Sequence, residues 1–188
     1  MASPRYKTFK KHVGKNLFQV ERRPRSLGRV AGFVAGLSES LMLFHQLDWD
    51  TFSLNGYSVI PIADASDYRV FDQKKYWQQR AAHLRELRPI MPDSVSVSDW
   101  RRMLESVAVL FPLVVIHIER KRPDVCYVGE VLKVSDSTVT LHDLDCNCEW
   151  QKPRRFRFED ITMVEFGDGY STALAATAPK RKAPQGRP

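Results

Sequence analysis

Two stretches of this chain decide how it is read: Gly32 to Asp48, GFVAGLSESLMLFHQLD, and Gly129 to Asp145, GEVLKVSDSTVTLHDLD. They align without a gap at a spacing of 97 residues. Seven pairs are identical: Gly32/Gly129, Val34/Val131, Ser38/Ser135, Ser40/Ser137, His45/His142, Leu47/Leu144 and Asp48/Asp145. After one shift of register Ile62-Ala63-Asp64 answers Phe158-Glu159-Asp160, and Asp72 answers Asp168. Upstream, Val20-Glu21-Arg22 answers Ile118-Glu119-Arg120. A unit of roughly 50 residues therefore occurs twice, and such a repeat speaks to architecture before it speaks to activity.

Each copy reads as a run of short strands. In the first, Leu17 to Val20, Arg29 to Leu37 and Leu41 to Leu47 are strands, with Ser38-Glu39-Ser40 as a tight turn. Asn55-Gly56 between Thr51–Leu54 and Tyr57–Ile62 predicts a hairpin, because that dipeptide takes the positive φ values of a two-residue primed turn. Asp64 to Asp67 turns again into Tyr68–Phe71. The second copy predicts Leu113 to Glu119, Tyr127 to Val134, Thr138 to Leu144, Arg155 to Phe158 and Thr162 to Phe166. Alternation is clean where Val139 and Leu141 point one way and Thr138 and Thr140 the other.

Between the copies the period changes from about 2 to about 3.6. Gln73 to Arg88 has helix-forming composition with Tyr76, Trp77, Ala81, Leu84 and Leu87 on one face, and Pro89 stops it. Ser98 is the expected N-cap of a second helix, Asp99 to Leu110, with Trp100, Met103, Leu104, Val107 and Leu110 as its apolar stripe. Gly169 to Ala178 predicts a short final helix, and disorder is expected beyond it. The boundaries that follow are a basic N-terminal arm at 1–16 and a first small-barrel repeat at 17–72. A helical insert at 73–111, a second repeat at 112–170, and a short helix with a basic tail at 171–188 complete them.

Short strands with tight turns, a Gly-containing bent strand, and an alternating strand ending in Leu-Asp together resemble the Sm-like and Src-homology-3-like small barrels. The tandem with a helical insert is similar to uncharacterised bacterial tandem small-barrel proteins. The resemblance implies an α+β, mostly β fold: two Sm-like barrels from an internal duplication, with a two-helix insert between them. It implies architecture and no activity. In Sm-type RNA binders an Asp and an Asn lie near the second and third strands and an Arg-Gly lies between the last two. Here Asp143 and Asp145-Cys146-Asn147 stand near the first place. Glu159-Asp160 and Ala63-Asp64 stand where the Arg-Gly would be.

The net charge of +7 is unevenly spread. Residues 1–30 hold nine Lys/Arg and one Glu, and residues 179–188 hold four Lys/Arg and no acid, leaving a net charge of −5 between them. Basic arms beside a mildly acidic body suit a polyanion, since each phosphate neutralised releases counterions. The plainer reading of PKRKAPQGRP is a solvated tail. Two basic clusters are candidates for nucleic acid: Arg22, Arg23, Arg25 and Arg29, and Lys152, Arg154, Arg155 and Arg157. At period 2, Phe156 and Phe158 point inward while Arg155 and Arg157 face water. Three cysteines without an export signal point to reduced thiols in the cytoplasm, and no apolar run is long enough for a membrane span.

His142, Cys146 and Cys148 carry donor atoms that zinc accepts, but the spacing is not that of common zinc knuckles, and the first copy has Trp49 and Thr51 in place of the cysteines. His45 and His142, each followed by x-Leu-Asp, read as fold-closing histidines before they read as acid–base groups. No nucleophile elbow, phosphate-cradling loop or paired catalytic carboxylates are present. A non-enzymatic binding protein without a cofactor is the expectation, its partner RNA or another nucleic acid. A protein partner docked on a barrel edge is the alternative, and a metal-dependent hydrolase the remote third.

Overall fold

Alternating side chains and β-branched residues favour strands along much of this chain, and breaks in alternation mark the turns. The computed structural model describes residues 3–24, 27–71 and 88–179. In its first half α1 is Pro4–Lys10, β1 Leu17–Arg22, β2 Arg29–Leu37, β3 Leu41–Asp48, β4 Ser53–Pro61 and β5 Ala65–Phe71. In its second half α2 is Trp100–Leu110, β6 Val114–His117, β7 Cys126–Val134, β8 Thr138–Asp143, β9 Arg154–Arg157, β10 Met163–Phe166 and α3 Gly169–Thr177. The fold is α+β and mostly β. The helix expected over 73–88 falls, except for Arg88, outside the described residues.

The strands form one antiparallel sheet in the order β5-β1-β2-β3-β4-β10-β6-β7-β8-β9. The two halves expected as separate small barrels are continuous with one another in this sheet, which is not closed into a barrel. The reason lies at β10. Its second edge is satisfied by β4 of the other half, with Val164 facing Val59, Glu165 facing Ser58 and Phe166 facing Tyr57. Val59, Ser58 and Val164 are fully buried at this joint.

The Asn55-Gly56 hairpin is also corrected: β4 runs straight through it. Gly56 has φ +71°, and a Cβ there would lie 2.6 Å from the Asp168 backbone nitrogen. The Asn55 side chain accepts a hydrogen bond from Gly169 N–H at 2.8 Å. The dipeptide's conformational freedom is spent on letting the β10–α3 turn approach, not on reversing the chain.

Register ties the halves together. In β2·β3, Gly32 faces Gln46, Val34 faces Phe44 and Gly36 faces Leu43, with Ala35 bulged out. In β7·β8, Gly129 faces Asp143, Val131 faces Leu141 and Lys133 faces Thr140, with Leu132 bulged out. Every position, bulge included, recurs 97 residues on. On the flanks the spacing is 96: Val20 faces Val30 as Ile116 faces Tyr127. This revises the upstream match, because Val20 corresponds to Ile116 rather than Ile118.

The same spacing reaches the helices. Ser3 caps α1 by accepting from Tyr6 N–H, and Asp99 caps α2 by accepting from Arg102 N–H. The cap thus sits at Asp99, one residue after the expected Ser98, whose hydroxyl donates to the Asp99 carboxylate. So α2 stands before β6 as α1 stands before β1. The expected N-terminal arm is in part a docked helix, with Phe9 buried against Phe18 at a ring distance of 5.6 Å.

Burial follows from these placements. Met103, Leu104 and Val107 of α2 enter a core with Leu41, Leu43 and Val59 of the first half and Val114, Ile116, Val139, Leu141 and Phe166 of the second. Phe9 of α1 joins Phe18, Val20, Val34, Met42, Phe44 and Ile60. One helix therefore seals a core drawn from both halves.

The Gly/His repeat has a steric cause. A Cβ on Gly32 would meet the His45 carbonyl and lie 2.9 Å from the Gln46 Cα, and a Cβ on Gly129 would meet the His142 carbonyl. Each glycine lets its neighbour strand press close at the same point. Gly32→Ala and Gly129→Ala are each expected to lower unfolding free energy by about 1–3 kcal/mol, as overpacked buried sites do, read as a lower urea midpoint. Unchanged midpoints would contradict the close approach.

Candidate functional site

The first basic cluster divides on inspection. Arg22 is 3% exposed and forms a bidentate pair with Glu119, Nη1 to Oε2 at 2.7 Å and Nη2 to Oε1 at 2.8 Å. Its Nη2 also donates to the Leu27 carbonyl. This corrects its assignment as a surface contact: it is a structural cation. Arg23 is exposed, Arg29 is exposed but paired with Glu21 at 2.7 Å, and Arg25 lies outside the described residues.

The second cluster stays at the surface. Lys152, Arg154, Arg155 and Arg157 are all exposed, while Phe156 between them is buried. Period 2 on β9 produces this split. Arg154 pairs with Asp143 at 3.1 Å and lies over the Tyr127 ring at 4.6 Å, and Arg157 pairs with Glu159 at 2.7 Å. Lys152 and Arg155 have no acidic partner among the described residues. An exposed pair such as Arg157–Glu159 contributes only about 0–1 kcal/mol, so Arg157 can turn to a phosphate at small cost, whereas Arg154 is held by the buried carboxylate of Asp143. The strand order sets this cluster at the opposite end of the sheet from β1, so the two clusters do not form one patch.

Charge near the β4·β10 joint is of the other sign. A cavity of about 340 Å³ there is lined by Asp48, Glu165 and Asp168, with Gln46, Asn55 and Cys126. Such a lining repels phosphate. Burial opposes ionisation of Glu165, yet the His117 ring at 2.6 Å, the Gln46 amide at 2.8 Å and the charge of Arg22 outweigh it. Together they hold the carboxyl below the ordinary glutamate range. Burial and the Glu165 charge push the Cys126 thiol up, which makes it a poor nucleophile.

Acidic side chains near the strand ends of both halves are held in internal pairs. Asp64 holds Arg120, Asp160 holds Lys121 at 2.7 Å, and Asp143 holds Arg154. The two Glu-Arg dipeptides of the upstream match turn out to be partners, not counterparts: Arg22 pairs with Glu119 across the halves, and Thr162 donates to Glu119 at 2.6 Å. Sequence pattern shows which residues resemble one another, whereas this contact joins residues that differ.

His142 stacks on Trp150 at 4.6 Å, Cys146 is exposed, and the Cys148 sulfur sits 3.2 Å from the Thr177 hydroxyl. The three do not converge; among the described residues no group of three or more His, Cys, Asp or Glu side chains is placed to hold a metal. No helix among the described residues is long and apolar enough to cross a membrane. Compared with family models, curated proteins and solved structures, the chain matches none.

His45 stacks on Tyr57 at 4.6 Å, and its Nδ1 accepts from Ile90 N–H at 3.1 Å. Protonating Nδ1 would remove that acceptor, and burial lowers the imidazole pKa in the same sense. A lowered folded-state pKa means the unfolded chain binds the proton first, so stability is lost as pH falls below the ordinary imidazole value of about 6.5. His45→Gln, which keeps an acceptor and cannot titrate, is expected to flatten the urea midpoint between neutral and mildly acidic pH. A slope equal to that of the wild type would contradict it.

Removing one partner of the buried Arg22–Glu119 pair leaves the other charge stranded. Arg22→Met is expected to cost about 3–5 kcal/mol, and adding Glu119→Leu to recover most of it. Urea unfolding of the wild type, Arg22→Met, Glu119→Leu and the double variant checks this, and a double variant as unstable as the sum of the singles would refute it.

Proposed function

We propose that this protein is a non-enzymatic binding protein that holds a nucleic acid, RNA in the first instance, along its β9 edge. The observation that carries the reading is the exposed row Lys152, Arg154, Arg155 and Arg157, with Phe156 buried behind it and two of the cations without an acidic partner among the described residues. Backbone contacts of this kind position a strand without reading its sequence. The body around the β4·β10 cavity is acidic, so a phosphate chain is steered toward the edge rather than the joint.

We infer also that the chain is an internal duplication of an Sm-like unit consisting of a capped helix and five strands. The matched registers, the matched bulges and the matched caps support it. In this reading the β4·β10 ladder is an internal dimer interface. Three unpaired thiols suit a reducing, cytoplasmic setting.

One observation favours the protein-partner alternative: among the described residues β5 and β9 are end strands, each with a single ladder neighbour. An extended segment of another protein could add there. The two readings separate by salt. Binding of a fluorescent single-stranded RNA homopolymer to the whole chain is expected to weaken linearly in log salt. For Lys152→Ala/Arg155→Ala the slope should drop by about 0.7 per lost contact. No binding at low salt, or binding indifferent to salt and to the double variant, would overturn the nucleic-acid reading.

A further inference from the structure

Among the described residues the sheet has two edges without a further strand, and such edges invite further copies to add head to tail. The invitation is specific here, because β9 corresponds to β4 and β5 to β10, and β4 already pairs with β10. The ladders establish the correspondence: Arg155 faces Thr140 as Val59 faces Leu43, and Tyr68 faces Val20 as Val164 faces Ile116. A second copy laying its β5 on β9 in the inner register would set Arg155 opposite Tyr68, Arg154 opposite Arg69 and Pro153 opposite Val70.

We propose that these outer edges are built not to repeat the inner joint, so that the sheet ends at a single copy of the chain. At the inner joint Val59 meets Val164 with both side chains buried, where the outer pair would be arginine against tyrosine. Ser58 meets Glu165, whose charge is held by His117 and Gln46, where the outer pair sets two guanidinium groups face to face. Like charges directly opposite one another on a ladder repel. Tyr57 stacks on Phe166 at 5.4 Å, where the outer place holds Pro153, which has no N–H to donate and no aromatic ring to stack. All three complementary pairs are replaced, two of them by the charge and the proline that commonly blunt sheet edges.

The inference rests on the correspondence between the halves, not on nucleic acid. Its test is the mass of the whole chain by light scattering, from dilute to concentrated solution, free of nucleic acid. The expected wild-type mass is that of one copy throughout. Arg69→Glu, Pro153→Tyr, Arg154→Ser and Arg155→Val together give the three β9 positions, and position 69 of β5, the inner joint's residues. This variant is expected to grow to twice the mass or more with concentration, and to fall back to one copy when Val70→Pro is added. A wild type that grows with concentration and is broken by Val70→Pro overturns the proposal, as does a folded rewritten variant that stays single. Should the rewritten protein not fold, hydrogen exchange on the wild type decides: outward amides of Tyr68–Val70 should exchange at a rate independent of concentration. Protection that rises with concentration would refute the proposal. Because RNA is absent, failure here leaves the salt-dependence test untouched.

Discussion

The β4·β10 ladder is the constraint on which the rest of this protein depends. Without it β10 would need another partner for its second edge, and each half would have to bury Val59 or Val164 alone. Once the ladder forms, the two halves share a core with α2, and the pairs Arg22–Glu119 and Asp64–Arg120 come into reach across the boundary. Buried ion pairs contribute little net stability compared with apolar packing, but a misplaced half would strand their charges. They therefore act mainly on how the halves sit, while the valines and the Tyr57–Phe166 stack supply cohesion.

Charge follows the same division. Acids collect near the joint, where Asp48, Glu165 and Asp168 line a cavity, and cations collect on the far edge at β9. A sheet that is acidic at its middle and basic at one end gives a polyanion a preferred place to lie. The same cations and Pro153 make that end a poor partner for another strand of its own kind.

Strand positions and the Gly/His recurrence were legible in the sequence, because alternation and close strand approach act on local residues. Gly32 and Gly129 recur because His45 and His142 press their carbonyls against them. The meaning of Asn55-Gly56 was not legible, since its positive φ serves the turn at Asp168, which lies more than a hundred residues away. Nor was the single sheet, because the choice between closing a barrel and pairing with another half is made by long-range edges. α2 read as an insert for a similar reason: α1 and α2 share a cap position and a place before a strand, but few residues. Arg22 sat in a basic run and looked like surface until Glu119 was found beside it.

The most direct measurement of the joint is native-state hydrogen exchange at the amides that β4 and β10 exchange with each other, set against those within β2·β3 and β7·β8. If the halves are one cooperative unit, the joint amides open only with global unfolding, at the free energy shown by both hairpins. Joint amides that exchange far faster, while each half stays protected, would show two separate bodies and contradict the continuous sheet.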